Sequence, residues 1–162
     1  MDKKTMAVIC DSREKVDSFN FFSYPDVITE IRALKTGDFS IKDYEDKITI
    51  DRKRNCNELQ MCLGQSWGRF YRELQRMASF DEGYIVCSFP YEDVETFPLN
   101  SGVPRHRWKY IKTSARFLKK RIHDIEDEFP NIKFIFSYSK IEAEEITYNL
   151  LRTYYDKQIN SI

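Results

Sequence analysis

The chain reads as one α/β domain, a mixed central sheet flanked by helices, and three observations predict it. At 162 residues it is long enough to bury one sizeable core and too short for a second domain of ordinary size. Hydrophobic residues make up 41%, aromatics 15% and charged residues 32%, the balance of a packed chain rather than a disordered one. Strand-like apolar runs come first, then helix, strand, helix, strand and helix follow in turn, an order that lays helices on the faces of a sheet. Five Gly and five Pro, with no internal repeat or flexible linker, predict short loops.

Each element has its own signal. Met6 to Cys10 in "KTMAVICDSRE" is a compact apolar core that fits a buried strand ending at Asp11. A loop or short helix follows through "SFNFFSYPDVI", punctuated by Pro25. Ile31, Ala33 and Lys35 alternate toward a turn at Gly37, and Ile48 and Ile50 alternate again. The economical reading is two antiparallel strands joined around "KDYED". Leu59, Cys62 and Leu63, then Phe70, Leu74 and Met77, recur at helical spacing, predicting a short helix, a kinked loop at "GQSWG" and a longer helix.

"GYIVCSF" is a continuous apolar run and reads as a central strand. Residues 90 to 104 read as a loop. A helix through "TSARFLKKRIHDIEDEF" turns Phe117, Leu118, Ile122 and Ile125 inward and is stopped by Pro130. "NIKFIFSYS" is a further strand. In the last helix, "KIEAEEITYNLLRTYYDKQI", Ile141, Ile146, Leu150 and Tyr154 form one broad face.

Composition also narrows the function. Cys10, Cys56, Cys62 and Cys87 form no CxxC pair and have no histidine at zinc spacing, and the N-terminus lacks a signal-like apolar segment, so an intracellular, reduced protein is expected. Cys10 and Cys87 read as small core residues. No apolar run approaches the roughly 18 to 20 residues that span a bilayer, which predicts a soluble protein with no membrane partner. The 26 basic and 26 acidic residues cancel, but they are segregated. Between Thr96 and His123 there is no Asp or Glu, while Arg105, Arg107, Lys109, Lys112, Arg116, Lys119, Lys120 and Arg121 lie there, followed at once by "DIEDE". That stretch is either a solvated face or a phosphate-contacting one.

The stretch "TGDFSIKDYEDKITIDRKRN" sets Asp38 after a glycine and Asp51 and Lys53 at the end of an alternating run. With Ile48, Ile50 and Arg52 on one strand face, Asp51 and Lys53 share the other. A hairpin would bring Asp38 beside them, and two carboxylates suffice for Mg²⁺, which keeps waters and substrate phosphate in its other positions. A nearby lysine can orient the attacking water or neutralise phosphate charge. An ordinary turn followed by a solvated strand end has the same spacing, and the motif by itself leaves both readings open.

"VICDSRE", "LKTGDFSI", "ITIDRKRNCNEL" and "GRFYRELQRM", in that order across residues 6 to 78, resemble the XPF-type endonuclease domain, a branch of the PD-(D/E)XK restriction-like nuclease superfamily. The order of later elements also suits that family. The resemblance implies a restriction-endonuclease-like fold, one nuclease domain over residues 1–162, and Mg²⁺- or Mn²⁺-dependent cleavage of branched or flapped DNA. It implies Asp38 and Asp51 as metal ligands, Asp11 as a further carboxylate of the metal site, Lys53 as the motif lysine and Glu14 as the glutamate of the first-strand motif. Arg13 and Arg52 would bind phosphate or serve structure, and Arg69 matches the GR arginine, with Glu73 one turn on where the family often has glutamine.

Two departures stand out: Asp51 replaces the usual glutamate, and Asn57 stands where an aspartate follows the lysine, with Glu58 adjacent. Arg116, Lys119 and Lys120 join the expected DNA contacts from the acid-free stretch. Larger relatives append helix-hairpin-helix modules, whose glycine hairpins are not found up to Ile162. DNA binding would then fall to the domain's own surface, to a homodimer or to a DNA-binding partner protein. Pairing of family nuclease domains, and the apolar Ile146, Leu150, Leu151, Tyr154 and Tyr155, point to self-association. The alternatives are a non-catalytic DNA-binding scaffold with a nuclease fold and a Holliday-junction resolvase.

Overall fold

Val8, Ile9 and Cys10 are buried in strand β1 (Met6–Asp11), which lies inside the sheet of the computed structural model; the structure describes residues 3–14 and 17–162. β1 pairs in parallel with β2 (Val27–Arg32) and antiparallel with β3 (Phe39–Ile41). β3 turns back antiparallel onto β4 (Ile48–Lys53), and β5 (Glu82–Cys87) and β6 (Ile132–Phe136) extend the sheet in parallel. The result is a six-stranded mixed sheet in the order β2-β1-β3-β4-β5-β6.

The expected hairpin around "KDYED" is therefore β3–β4, and its first strand is only Phe39–Ile41. Ile31 belongs instead to β2, the edge strand, and is 77% exposed. Ala33 and Lys35 lie beyond β2 and are exposed, because the chain there leaves the edge to cross back over β1 and buries Leu34 instead.

Helices α1 (Cys56–Leu63), α2 (Trp67–Met77), α3 (Glu92–Glu95) and α4 (Ala115–Glu128) cover one face with Leu59, Leu63, Phe70, Leu74, Leu118 and Ile122. α5 (Lys140–Asn160), together with Phe19 and Phe21, covers the other face over Met6, Val8, Phe39, Ile48 and Ile50. Asn55, Ser114 and Ser139 cap α1, α4 and α5 by accepting from the N–H groups of Glu58, Phe117 and Glu142. Each cap contributes about 1 kcal/mol.

Three expectations change here. Trp67 and Gly68 begin α2 rather than ending a loop, and α3 sits inside the stretch read as loop. In α5 the buried stripe is Ala143, Thr147, Tyr148, Leu151 and Tyr154, whereas Ile141, in the first turn, is 78% exposed. Leu151 and Tyr154 are buried in the core, and Ile146, Leu150 and Tyr155 pack against it partly buried. Among the described residues no helix is long and apolar enough to cross a membrane.

Candidate functional site

Gly37 makes the turn that positions Asp38. Its φ is +77°, and a Cβ at that position would stand 2.1 Å from the Thr49 hydroxyl oxygen. Only a residue without a side chain lets the backbone come so close to β4 in that conformation. The Asp38 N–H then donates to the Ile50 carbonyl at 2.7 Å, and the Asp38 carbonyl accepts from the Asp11 N–H at 2.8 Å. The Asp38 side chain accepts a further bond, at 2.7 Å, from the Arg52 N–H. Three carboxylates distant in sequence are thereby tied to neighbouring strands, Asp11 at the end of β1, Asp38 just before β3 and Asp51 in β4.

The two-residue period of β4 divides its side chains. Ile48 and Ile50 face α5 with the Arg52 guanidinium, which lies 4.3 Å above the Phe19 ring and is held by Asp17 and Ser88. Asp51 and Lys53 face the other way, into a pocket of about 370 Å³. α2 forms one wall: Phe70, Leu74 and Met77 pack into the core, while Arg69, Glu73 and Arg76 line the pocket. Lys35, Gly37, Arg52, Arg54 and Glu58 complete the lining with Asp11, Arg13, Glu14 and Asp38.

Lys53 and Asp51 are both buried, with Lys53 Nζ 2.9 Å from Asp51 Oδ2 and 5.0 Å from the Phe70 ring centre. The contact is a buried ion pair between the ammonium and the carboxylate. Burial followed by the charge of Asp51 pushes the Asp38 carboxyl well above the usual carboxylate range. Burial and Asp51 also raise Glu73, and burial raises Glu14 despite its ion pair with Arg54. For Lys53, burial opposes the charge, but Asp51 outweighs it and holds the ammonium well above its ordinary pKa. Lys53 is a fixed positive charge at neutral pH.

Asp11, Glu14, Asp38, Asp51 and Lys53, predicted from the sequence, are brought together with Arg13 and Arg69. Both Asp11 oxygens are occupied, Oδ2 by Arg13 Nε at 2.9 Å and Oδ1 by the Leu34 N–H at 2.8 Å. The Arg52 guanidinium is engaged by Ser88, Asp17 and the Phe19 ring. Arg116, Lys119 and Lys120 lie on α4, outside this pocket; Lys119 pairs with Glu95 and Lys120 with Asp124. Asn57 faces away from the pocket, whereas its neighbour Glu58 lines it. Sequence reasoning missed Lys35, Arg54 and Arg76. For Arg76 the signal was its seven-residue spacing from Arg69 on an amphipathic helix.

Among the described residues no three His, Cys, Asp or Glu side chains are gathered closely enough to make a ready-made metal cage. A Mg²⁺ site asks for less, since one or two carboxylates suffice when water and substrate phosphate fill the rest of the shell. Asp38 and Asp51, which line one pocket closely enough for the charge of Asp51 to oppose ionisation of Asp38, fit that requirement.

XPF from Aeropyrum pernix superposes on this structure with a TM-score of 0.68 at 17% identity, covering 96% of this chain and 68% of the other. The chain has the fold of the XPF-type nuclease domain. XPF from Aeropyrum pernix in complex with DNA gives a TM-score of 0.66 at 18% identity, covering 94% of this chain and 66% of the other. No protein-family model matches the chain, and no curated protein matches it. The mixed sheet flanked by helices is the restriction-endonuclease-like arrangement of XPF.

Proposed function

We propose that the chain is a Mg²⁺- or Mn²⁺-dependent endodeoxyribonuclease that hydrolyses phosphodiester bonds in branched or flapped DNA. The observation that carries the reading is Asp51: a buried carboxylate 2.9 Å from the Lys53 ammonium, next to a second carboxylate, Asp38, whose ionisation it opposes. Two carboxylates lining one pocket repel each other, and a hard divalent cation is the ligand that offsets that repulsion.

Asp38 and Asp51 would hold the cation, with Asp11 adding charge from behind its pair with Arg13. When bound, such a cation polarises a phosphoryl oxygen and acidifies water. Lys53, charged and held between Asp51 and Phe70, donates toward the phosphate oxygens where negative charge accumulates. Lys35, Arg69 and Arg76 at the pocket edge draw in and orient the phosphodiester backbone. Glu73, raised by burial and by Asp51, is a proton acceptor on the α2 wall. The similar XPF from Aeropyrum pernix solved with DNA supports DNA as the polymer.

Labelled flap, fork, junction and plain duplex DNA, incubated with Mg²⁺ or Mn²⁺, test the proposal. Cutting of branched substrates by the wild type and none by Asp51→Ala is the expected result. Intact DNA in every lane, with branched DNA still bound and no Mn²⁺-dependent melting shift, would replace the nuclease with a non-catalytic scaffold.

A further inference from the structure

The acid-free stretch carries cations that no carboxylate answers. Lys119 and Lys120 are paired, and Arg121 lies 3.9 Å above the Trp67 ring. Arg105, Arg107, Lys109 and Lys112 make no ion pair with a carboxylate among the described residues. Arg105 to Tyr110 form a 3-10 helix with no buried residue, and residues 103–113 run beside α1.

Between the two lies a groove of about 850 Å³, more than twice the volume of the carboxylate pocket at about 370 Å³. Asn57, Gln60 and Gln65 line it from the α1 side, and Arg107, Tyr110 and Lys112 from the other. The groove is built into the fold. Thr113 Oγ1 donates to Gln60 Oε1 at 2.8 Å, the Asn57 N–H donates to the Ser101 carbonyl at 2.8 Å and Trp108 Nε1 donates to the Val103 carbonyl at 2.9 Å. Gly64 permits the close approach, since a Cβ there would stand 2.7 Å from Thr113 Cγ2. α1 separates the groove from the carboxylate pocket, with Asn57 lining the first and Glu58 the second.

We propose that this groove binds an unpaired DNA strand, the single-stranded arm of a branched substrate whose junction reaches the Asp38–Asp51 pocket across α1. The inference rests on the nuclease reading and adds which part of the substrate lies where. The chemistry is that of single-strand recognition, in which cations track phosphates and aromatic faces stack on bases. Arg107 and Lys112 supply the charge, and Tyr110, 69% exposed, supplies the ring. Gln60 is buried and bonded to Thr113 and Asn57, which fixes the groove wall, while the Gln65 amide and the Asn57 Nδ2 can meet the hydrogen-bonding edges of unpaired bases, which a duplex keeps covered.

The test is binding of a labelled oligothymidylate, and of a duplex of equal length, in metal-free buffer across a salt series. Tyr110→Ala should weaken oligothymidylate binding about tenfold, Tyr110→Phe should restore it, and duplex binding should change far less. Arg107→Gln with Lys112→Gln should flatten the salt slope by about 1.4, roughly 0.7 for each phosphate no longer neutralised. Wild-type affinity and slope in these variants, with wild-type melting, would overturn the groove, as would equal losses on duplex. Because no metal is present, the measurement is independent of cleavage. Intact DNA with Mn²⁺ sinks the nuclease reading, while unchanged oligothymidylate binding sinks only the groove.

Discussion

The Asp38 carboxylate accepts a hydrogen bond from the backbone N–H of Arg52 at 2.7 Å, hooking the turn after Gly37 onto the strand that carries Asp51 and Lys53. That bond holds Asp38 near the buried Asp51 in spite of their repulsion. The arrangement costs stability at the place where the proposed chemistry needs charge.

Asp38→Asn should stabilise the metal-free protein. A carboxyl whose folded pKa is raised contributes stability below its unfolded pKa of about 4 and loses it as pH rises through the folded value. The advantage of the amide, which still accepts from the Arg52 N–H, therefore grows above about pH 4. At neutral pH it should be on the order of 1 kcal/mol, a rise in Tm of about 3 °C. Melting curves in EDTA and in Mn²⁺ across pH check it: the wild type should gain from Mn²⁺ and the variant should not.

Lys53→Met should destabilise by about 3 to 5 kcal/mol, because it leaves the Asp51 charge buried and unpaired. Combining it with Asp51→Asn should recover most of that loss, since both members of the pair are then neutral. Urea unfolding of the two single variants and the double variant measures the coupling. All three should fail to cut DNA.

Gly37→Ala should lower stability by about 1 to 3 kcal/mol, because φ of +77° strains an L side chain and the new Cβ meets Thr49. Its effect reaches function through Asp38, which follows directly. The Mn²⁺-induced shift in Tm should shrink along with the stability, and a full wild-type shift would show that the turn does not position the carboxylate.

Arg69→Ala with Arg76→Ala should flatten the salt dependence of duplex binding by about 0.9 for each phosphate that either arginine had neutralised. Lys120→Ala, by contrast, removes only an exposed i,i+4 pair with Asp124 and should change stability by less than about 0.5 kcal/mol and leave the slope unchanged. Fluorescence anisotropy over a salt series separates the pocket edge from α4.

Local signals carried much of this molecule. The periods of 2 and 3.6, the turn at Gly37, the stop at Pro130 and the opposite faces of Asp51 and Arg52 were legible because each depends on residues a few positions apart. So was the set of carboxylates and lysine, through the order of its motifs. Tertiary structure decided the rest. Pairing of β2 to β1 rather than to β4, the burial of α5 through Tyr148 and Leu151 instead of Ile141, and the capture of Arg52 by Asp17 and Ser88 all depend on distant partners. The sequence determined that charge was segregated along the chain. Which cations stand at the pocket edge, which are neutralised on α4 and which line the groove beside α1 depends on long-range packing, because an ion pair is set by distance in space.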